Sequence, residues 1–304
     1  MNYQELLEEI RREVRPHFGK GQVADYIPAL KRVPPAKFGM ALLTTDGIEA
    51  STGDAAEPFS IQSISKLFSL MLGMRLMGDE IWTRVGKEPS GTPFNSLVQL
   101  EYENGFPRNP FINAGALVVL DCVMARCRDV KATIRDYARV LSQNFAIDFD
   151  LQVARSERKS GYRNAALANL LKSHGTIEGN VARLLDAYCH QCSLTMSCLD
   201  LCRAFLPLAN RGFSPVLQET VLTPAQVKRI NSLMLTCGMY DSSGNFAYRV
   251  GLPAKSGVGG GIVAVMPGEF VLTVWSPELD RSGNSLVGVQ ALQLFTQITG
   301  RSVF

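Results

Sequence analysis

Between Leu67 and Met77 the sequence offers almost no polar face: Leu67, Phe68, Leu70, Met71, Leu72, Met74, Leu76 and Met77 are interrupted only by Ser69, Gly73 and Arg75. A helix carrying this run is apolar nearly all round, so it must lie inside the protein with the rest of the chain around it. Its entry is polar, with Ser63, Ser65 and Lys66 directly before it. Ser63 and Lys66 are three residues apart and share one face of a helix. A lysine at the start of a buried helix is costly to keep charged, so its pKa falls and its amine can take a proton from a neighbouring hydroxyl. If the helix opens near Ser63, its free backbone N–H groups point at whatever the serine attacks. A nucleophile, a base and half an oxyanion hole then fit within one turn.

The spacing alone is common. The chain contains a second Ser-x-x-Lys, Ser156 to Lys159, inside Arg155-Ser156-Glu157-Arg158-Lys159-Ser160, which reads as a charged, solvated segment. Only the first is followed by a buried helix, and that context is what points to chemistry.

Whole-chain properties narrow the class. At 304 residues the chain can bury a large core without staples. A hydrophobic share of 46%, a charged share of 19% and a formal charge of +3 fit an ordinary globular protein and argue against a nucleic-acid partner. No apolar run reaches membrane-spanning length. Residues 2–14 form a charged amphipathic helix without a signal-peptide core, so a cytoplasmic location is expected. Seven cysteines, an odd number, are expected as free thiols. Cys189-x-x-Cys192 and Cys198-x3-Cys202, with His190 between the first two, have some zinc character. Their short separation and helical surroundings favour small buried hydrophobes, and no metal is expected.

The order of elements sets the architecture. Phe38 to Thr45 and Ile48 to Ser51 read as strands joined at Asp46-Gly47, a strong hairpin signal. From about 80 to 235 the pattern is helical, with Asn113 to Leu120, Ile134 to Ala146, Ala165 to His174, Val181 to Cys189, Thr195 to Asn210 and Thr223 to Cys237 as helices. Strands return at Phe246 to Val250, Gly261 to Met266 and Phe270 to Trp275, and Asn284 to Thr299 closes the chain as a helix. Two early and three late strands require one α+β domain, 1–304. Its antiparallel sheet of about five strands is assembled from both ends and flanked by the terminal helices. The α/β lobe covers roughly 1–60 and 238–304 and a helical lobe roughly 61–237, with the Ser63 helix at the floor of the cleft between them.

Lys255-Ser256-Gly257, in a glycine-rich stretch just before a strand, has the shape of the Lys-Ser/Thr-Gly element that accompanies Ser-x-x-Lys in serine β-lactamases and penicillin-binding proteins. A second lysine across the cleft would help hold Lys66 neutral. A closer resemblance follows from Phe59-Ser60-Ile61-Gln62-Ser63-Ile64-Ser65-Lys66, Arg108-Asn109-Pro110-Phe111-Ile112-Asn113-Ala114-Gly115-Ala116, Gly238-Met239-Tyr240-Asp241, Gly257-Val258-Gly259-Gly260-Gly261 and Val23-Ala24-Asp25-Tyr26-Ile27-Pro28. With these motifs in order over nearly its whole length, the chain resembles the serine-dependent glutaminases of the bacterial type.

That resemblance implies a β-lactamase-like fold, hydrolysis of L-glutamine to L-glutamate and ammonia, no organic cofactor, no membrane association and a homodimer or homotetramer. It implies Ser63 as the acyl-enzyme nucleophile, Lys66 as its base, and the N–H groups of Ser63 and Val258 as the oxyanion hole. Tyr26 and Tyr240 would stand beside the nucleophile and the substrate. Asn113, Glu157, Asn164 and Tyr188 would hold the α-groups, a carboxylate suiting an ammonium and amides with a phenol suiting a carboxylate. Gln62 would contact the substrate or Tyr26. Taken singly these residues have plainer roles: Asn113 as a helix cap, Glu157 as a solvated charge, Asn164 and Tyr188 as members of a helical lobe, the tyrosines as packing. His17, His174 and His190 do not cluster with Ser63, which excludes a Ser-His-Asp triad. Two other functions fit the same sequence, a penicillin-recognising serine hydrolase and a non-catalytic amino-acid-binding protein.

Overall fold

A computed structural model describes residues 1–91 and 93–304. Five strands, β1 (Gly39–Thr44), β2 (Glu49–Gly53), β3 (Ala254–Gly257), β4 (Gly261–Met266) and β5 (Phe270–Trp275), form one antiparallel sheet in the order β2-β1-β5-β4-β3. The central strand is the last one made. β5 pairs with β1 from Phe270 opposite Thr44 to Trp275 opposite Gly39, and with β4 from Phe270 opposite Met266 to Trp275 opposite Gly261. The Asp46-Gly47 turn joins β1 to β2 as its residues demand, with Gly47 at φ +93°.

Both faces of the sheet are covered, so alternate residues of each strand enter two different cores. Met40, Leu42, Ile262, Ala264, Leu272 and Val274 pack with Leu7 and Ile10 of α1 (Tyr3–Glu13) and with Leu292 and Phe295 of α12 (Leu286–Thr299). Ala41, Leu43, Val263, Val265 and Val271 face the helical part of the chain. That part runs through α2 (Lys66–Met77), α3 (Leu97–Tyr102), α4 (Asn113–Met124), α5 (Val130–Ser142), α6 (Leu151–Ser160), α7 (Tyr162–Ser173), α8 (Val181–Cys192), α9 (Cys198–Ala209) and α10 (Pro224–Cys237). Helix α9 lies on the sheet: Thr273 Oγ1 donates to the Cys198 carbonyl at 2.8 Å, and the Cys202 thiol donates to the Ala41 carbonyl at 3.3 Å. All seven cysteines are free, and six are buried. No helix among the described residues is long and apolar enough to cross a membrane.

Helix α2 is buried from Lys66 to Met74, as its apolar circumference requires. Three readings of the sequence are corrected. Phe246 to Val250 is not a strand but the end of α11 (Ser243–Val250), in which Phe246 and Val250, four apart, turn to the core while Tyr248 is exposed. The third late strand is Ala254–Gly257, so Lys255-Ser256-Gly257 is itself an edge strand and not the turn before one. The charged segment at 155–160 is the second half of a helix, α6, capped by Asp150 and buried on one side at Val153, Ala154 and Glu157. A run of alternating apolar residues only five long does not separate strand from helix.

Candidate active site

Ser63 lies on a 3₁₀ turn, Gln62–Ser65, that leads directly into α2. Gln62 before it is held at φ +49°, a conformation that L side chains rarely adopt, and is buried. Its side-chain amide donates to Ser60 Oγ at 3.0 Å, and Ser60 Oγ donates to the Cys192 carbonyl at 3.0 Å. The strained turn is thereby tied to the end of α8.

Lys66 is 1% exposed. Its Nζ donates to the Phe111 carbonyl at 2.9 Å and to Asn113 Oδ1 at 2.7 Å, with no carboxylate bonded to it. Burial lowers its pKa from 10.5 to about 8, against weaker opposing pulls from Cys192 and Glu157. Asn113 is not the cap of α4 but its first residue, following Ile112, and its side chain is the hub of the site. Oδ1 also accepts from the Tyr188 hydroxyl at 3.3 Å, and Nδ2 donates to Asn164 Oδ1 at 2.9 Å.

A second lysine, Lys255, is fully buried at the opposite side. It donates to the carbonyls of Gly238 and Ser256 at 3.2 and 2.5 Å, and its Nζ stands 4.8 Å from the centre of the Tyr240 ring. Desolvation first, then repulsion by Lys66, pushes its pKa well below that of an ordinary lysine. Tyr240 is itself strained, at φ +51°, and its ring packs on Phe94 with centroids 4.8 Å apart. The Tyr240 hydroxyl is buried without a full hydrogen bond. Burial raises its pKa; the neighbouring Ser63 side chain and Val258 backbone N–H act in the opposite direction.

The end of β3 closes against the Ser63 turn. A Cβ on Gly257 would stand 2.4 Å from the Ile61 carbonyl oxygen and 3.3 Å from Ser63 N, and one on Gly259 would stand 2.1 Å from the Ser60 oxygen. Only glycine permits this approach, and it brings the Val258 backbone beside that of Ser63. Above them is a pocket of about 210 Å³ lined by Tyr26, Gln62, Ser63, Asn113, Glu157, Asn164, Tyr188 and Val258. Eight of the ten residues singled out from the sequence therefore line one pocket. Lys66 and Tyr240 lie beneath it, and Tyr26, 55% exposed, stands at its mouth. Glu157 is 7% exposed, and its Oε2 has no partner. Burial raises its pKa from 4.5 to about 8, with Cys192 and Lys66 opposing. The Cys192 thiol is a hydrogen-bond partner of this carboxyl, and Oε2 is left free inside the pocket; a buried acidic group with a free oxygen is the kind of group that a cation can satisfy.

Sequence reasoning missed Ile27, Phe94, Asn95, Ser160, Gly161, Arg163 and Cys192, which complete the lining. Gly161 and Arg163 lie just before Asn164 at the α6–α7 junction, so proximity in sequence was their signal. Cys192 carried none, being indistinguishable in sequence from a core cysteine. Its thiol is buried against Glu157 and Ser65 and is held well above its ordinary pKa by desolvation. Ser156, half of the second Ser-x-x-Lys, is spent on accepting from the Ala29 N–H at 3.2 Å. Among the described residues no group of His, Cys, Asp and Glu side chains is arranged to hold a metal ion.

The family model for glutaminase matches residues 21–304. A glutaminase from Caulobacter vibrioides is 58% identical over 299 residues, covering 98% of this chain and 97% of the relative. The chain belongs to the glutaminase family. A second glutaminase, from Aliivibrio salmonicida, is 56% identical over 301 residues, with 99% and 98% covered. Among solved structures, a Bacillus subtilis glutaminase in covalent complex with 5-oxo-L-norleucine superimposes with a TM-score of 0.90 at 33% identity, covering both chains fully. The five-stranded antiparallel sheet, flanking terminal helices and helical lobe are thus the β-lactamase-like arrangement of solved glutaminases. This glutaminase-family chain is an enzyme of the amidohydrolase kind.

Proposed function

We propose that the protein hydrolyses L-glutamine to L-glutamate and ammonia through an acyl-enzyme on Ser63. The observation that carries the mechanism is the hydrogen bonding of Lys66. A neutral amine has two N–H bonds and one lone pair, and Lys66 Nζ faces two acceptors, the Phe111 carbonyl and Asn113 Oδ1. With both N–H bonds so directed, the lone pair is left for the Ser63 hydroxyl three residues back. Lys66 removes the hydroxyl proton as Oγ bonds to the side-chain amide carbon. The oxyanion is received by the Ser63 and Val258 N–H groups, which the Gly257 approach brings together. Tyr240, buried beside Ser63, passes the proton to the departing nitrogen, which leaves as ammonia. Water then adds to the ester by the same route in reverse, releasing glutamate and restoring the serine.

The α-groups have partners of matching charge. Glu157 takes the α-ammonium on Oε2, the buried oxygen that has no partner in the protein. The α-carboxylate meets the amide N–H groups of Asn164 and Asn113, with Tyr188 fixing Asn113 from behind. Gln62 holds the turn, and Tyr26 covers the mouth. The covalent 5-oxo-L-norleucine complex of the Bacillus subtilis relative, formed from 6-diazo-5-oxo-L-norleucine with loss of dinitrogen, supports a protein nucleophile poised at the end of a glutamine-like ligand's side chain. The seven free cysteines support a reducing compartment, hence the cytoplasm, and the family resemblance supports a homodimer or homotetramer.

The test is reaction with 6-diazo-5-oxo-L-norleucine followed by intact-mass spectrometry, alongside ammonia release from L-glutamine. One adduct is expected on the wild type, with neither adduct nor turnover in Ser63→Ala. Full turnover in Ser63→Ala would sink the mechanism.

A further inference from the structure

Ser60 is buried and does not line the pocket above Ser63, whereas Gln62 does. It sits on a short strand, Phe59–Ser60, that pairs with Thr195–Met196 just beyond α8. Its hydroxyl takes part in two hydrogen bonds, one with the Cys192 carbonyl and one with the Gln62 side-chain amide, both at 3.0 Å. A hydroxyl has a single proton to give. Cys192 is the last residue of α8, and a carbonyl at that position has no N–H of its own helix to accept from. The Ser60 proton therefore goes to that carbonyl, and toward Gln62 the Ser60 oxygen can only accept.

This count fixes which way the Gln62 amide faces. Its NH2 group must point at Ser60, since a turned amide would set its oxygen against an oxygen with no proton to share. Oε1 is thereby directed away from Ser60. Among the described residues the bond to Ser60 is the one hydrogen bond of this side chain, so Oε1 is left as an acceptor on the pocket that Gln62 lines. The end of α8 also holds Glu157: the Cys192 thiol is a hydrogen-bond partner of its carboxyl, and Oε2 remains free. Through its carbonyl and its thiol, Cys192 thus joins two acceptors on one pocket, the Gln62 amide oxygen and Glu157 Oε2. An ammonium group carries three N–H donors and can meet both.

We propose that Ser60 is a positioning residue for substrate selection: it locks the Gln62 amide with its oxygen toward the pocket, where that oxygen and Glu157 together take the α-ammonium of the amino acid. Without the Ser60 hydroxyl the amide can turn, and it then offers NH2 to a group that has only donors. This role rests on the reading of the pocket as a site for a free amino acid. Ser60 touches no reacting atom, so its loss weakens recognition of the amino group and not the chemical step.

The test is calorimetry with L-glutamate and with glutarate, which lacks the amino group, on the wild type and Ser60→Ala, with glutamine turnover measured in parallel. Ser60→Ala should bind L-glutamate about tenfold more weakly, the worth of one charge-assisted hydrogen bond, and glutarate as the wild type does. KM for glutamine should rise by the same factor with kcat held within about twofold. Gln62→Met keeps the length of the side chain without its amide; it should lose the same preference for L-glutamate, and adding Ser60→Ala to it should cost nothing more. Equal losses for L-glutamate and glutarate, a fall in kcat at constant KM, or a further loss in the double variant each overturns the proposal. The expected shift in preference in a protein that does not turn over glutamine would uphold the role of Ser60 and count against the acyl-enzyme reading.

Discussion

Replacing Glu157 by glutamine should make the empty protein more stable while making it a worse receptor for glutamine. The side chain is 7% exposed and its Oε2 has no partner, and burial lifts its pKa from 4.5 to about 8. At about 1.4 kcal/mol per pKa unit, ionising it in the empty pocket costs on the order of 5 kcal/mol. The sign follows from linkage. Below 4.5 the carboxyl is neutral in folded and unfolded chains alike and contributes no difference. Between 4.5 and about 8 the unfolded chain releases the proton and the folded one keeps it, so stability falls as pH rises; above about 8 the full penalty is present. Glutamine keeps the shape and removes this dependence. Its amide remains a poorly satisfied buried group at ~1–3 kcal/mol, which leaves a net gain of about 2–4 kcal/mol at alkaline pH. At ~2 °C per kcal/mol for a chain of this size, Tm should rise by about 4–8 °C there and by little under acid conditions. Exchanging a charge-assisted hydrogen bond to the α-ammonium for a neutral one loses about 1–2 kcal/mol, or ~5–30-fold in KM. Thermal melts across pH and ammonia-release kinetics read both effects. A variant that melts at or below the wild type under alkaline conditions, or whose KM is unchanged, refutes the assignment of Glu157 as a receptor with a free oxygen.

The remaining expectations concern the proposed nucleophile and its base. Because Lys66 is held at about 8 and acts as the neutral amine, kcat/KM should climb with pH through a limb near that value. The limb should persist in Glu157→Gln, and a rate flat across this range would remove Lys66 from the base role. Asn113→Asp places a carboxylate 2.7 Å from Lys66 Nζ, which should raise the limb by about 1–3 pH units; an unmoved limb in a variant that still turns over would contradict the pairing. Gly257→Ala inserts a methyl 2.4 Å from the Ile61 oxygen and 3.3 Å from Ser63 N. It should lower kcat by about a hundredfold through the oxyanion hole, with the circular dichroism spectrum unchanged. Activity near wild type would show that Val258 does not serve there.

What the sequence disclosed and what it hid divide along physical lines. The buried helix was legible because apolar residues all round α2 admit no exposed face, and the hairpin because Asp46-Gly47 admits few other turns. Ser63 and Lys66 followed from that burial. The contacts proposed for the α-groups were not legible in the residues themselves. Asn113, Asn164 and Tyr188 come from three helices and meet through one hydrogen-bonded cluster that no local pattern encodes. Glu157 was masked by its neighbours: Arg155, Arg158 and Lys159 on the same helix are exposed, and only the helical period separates the one buried carboxylate from them. The misread strand at 246–250 has a similar cause, since five residues satisfy both periods. Cys192 and Phe94 reached the pocket wall through packing alone.

The order of the sheet bears on when the enzyme can first act during synthesis. Strand β1, made early, has β5 as its inner neighbour, more than two hundred residues later, and Val258 comes from the turn between β3 and β4. Until that final sixth leaves the ribosome, the Ser63 turn has no glycine arm against it, Lys66 has no second lysine across the cleft, and Gly39 to Thr44 present an unpaired edge. A nascent chain therefore carries the nucleophile in an incomplete setting, unable to hydrolyse anything through this site. It also carries an apolar strand that needs protection from foreign partners. Such non-local pairing favours slow folding that completes after release from the ribosome, so activity and the closing of the sheet should appear together.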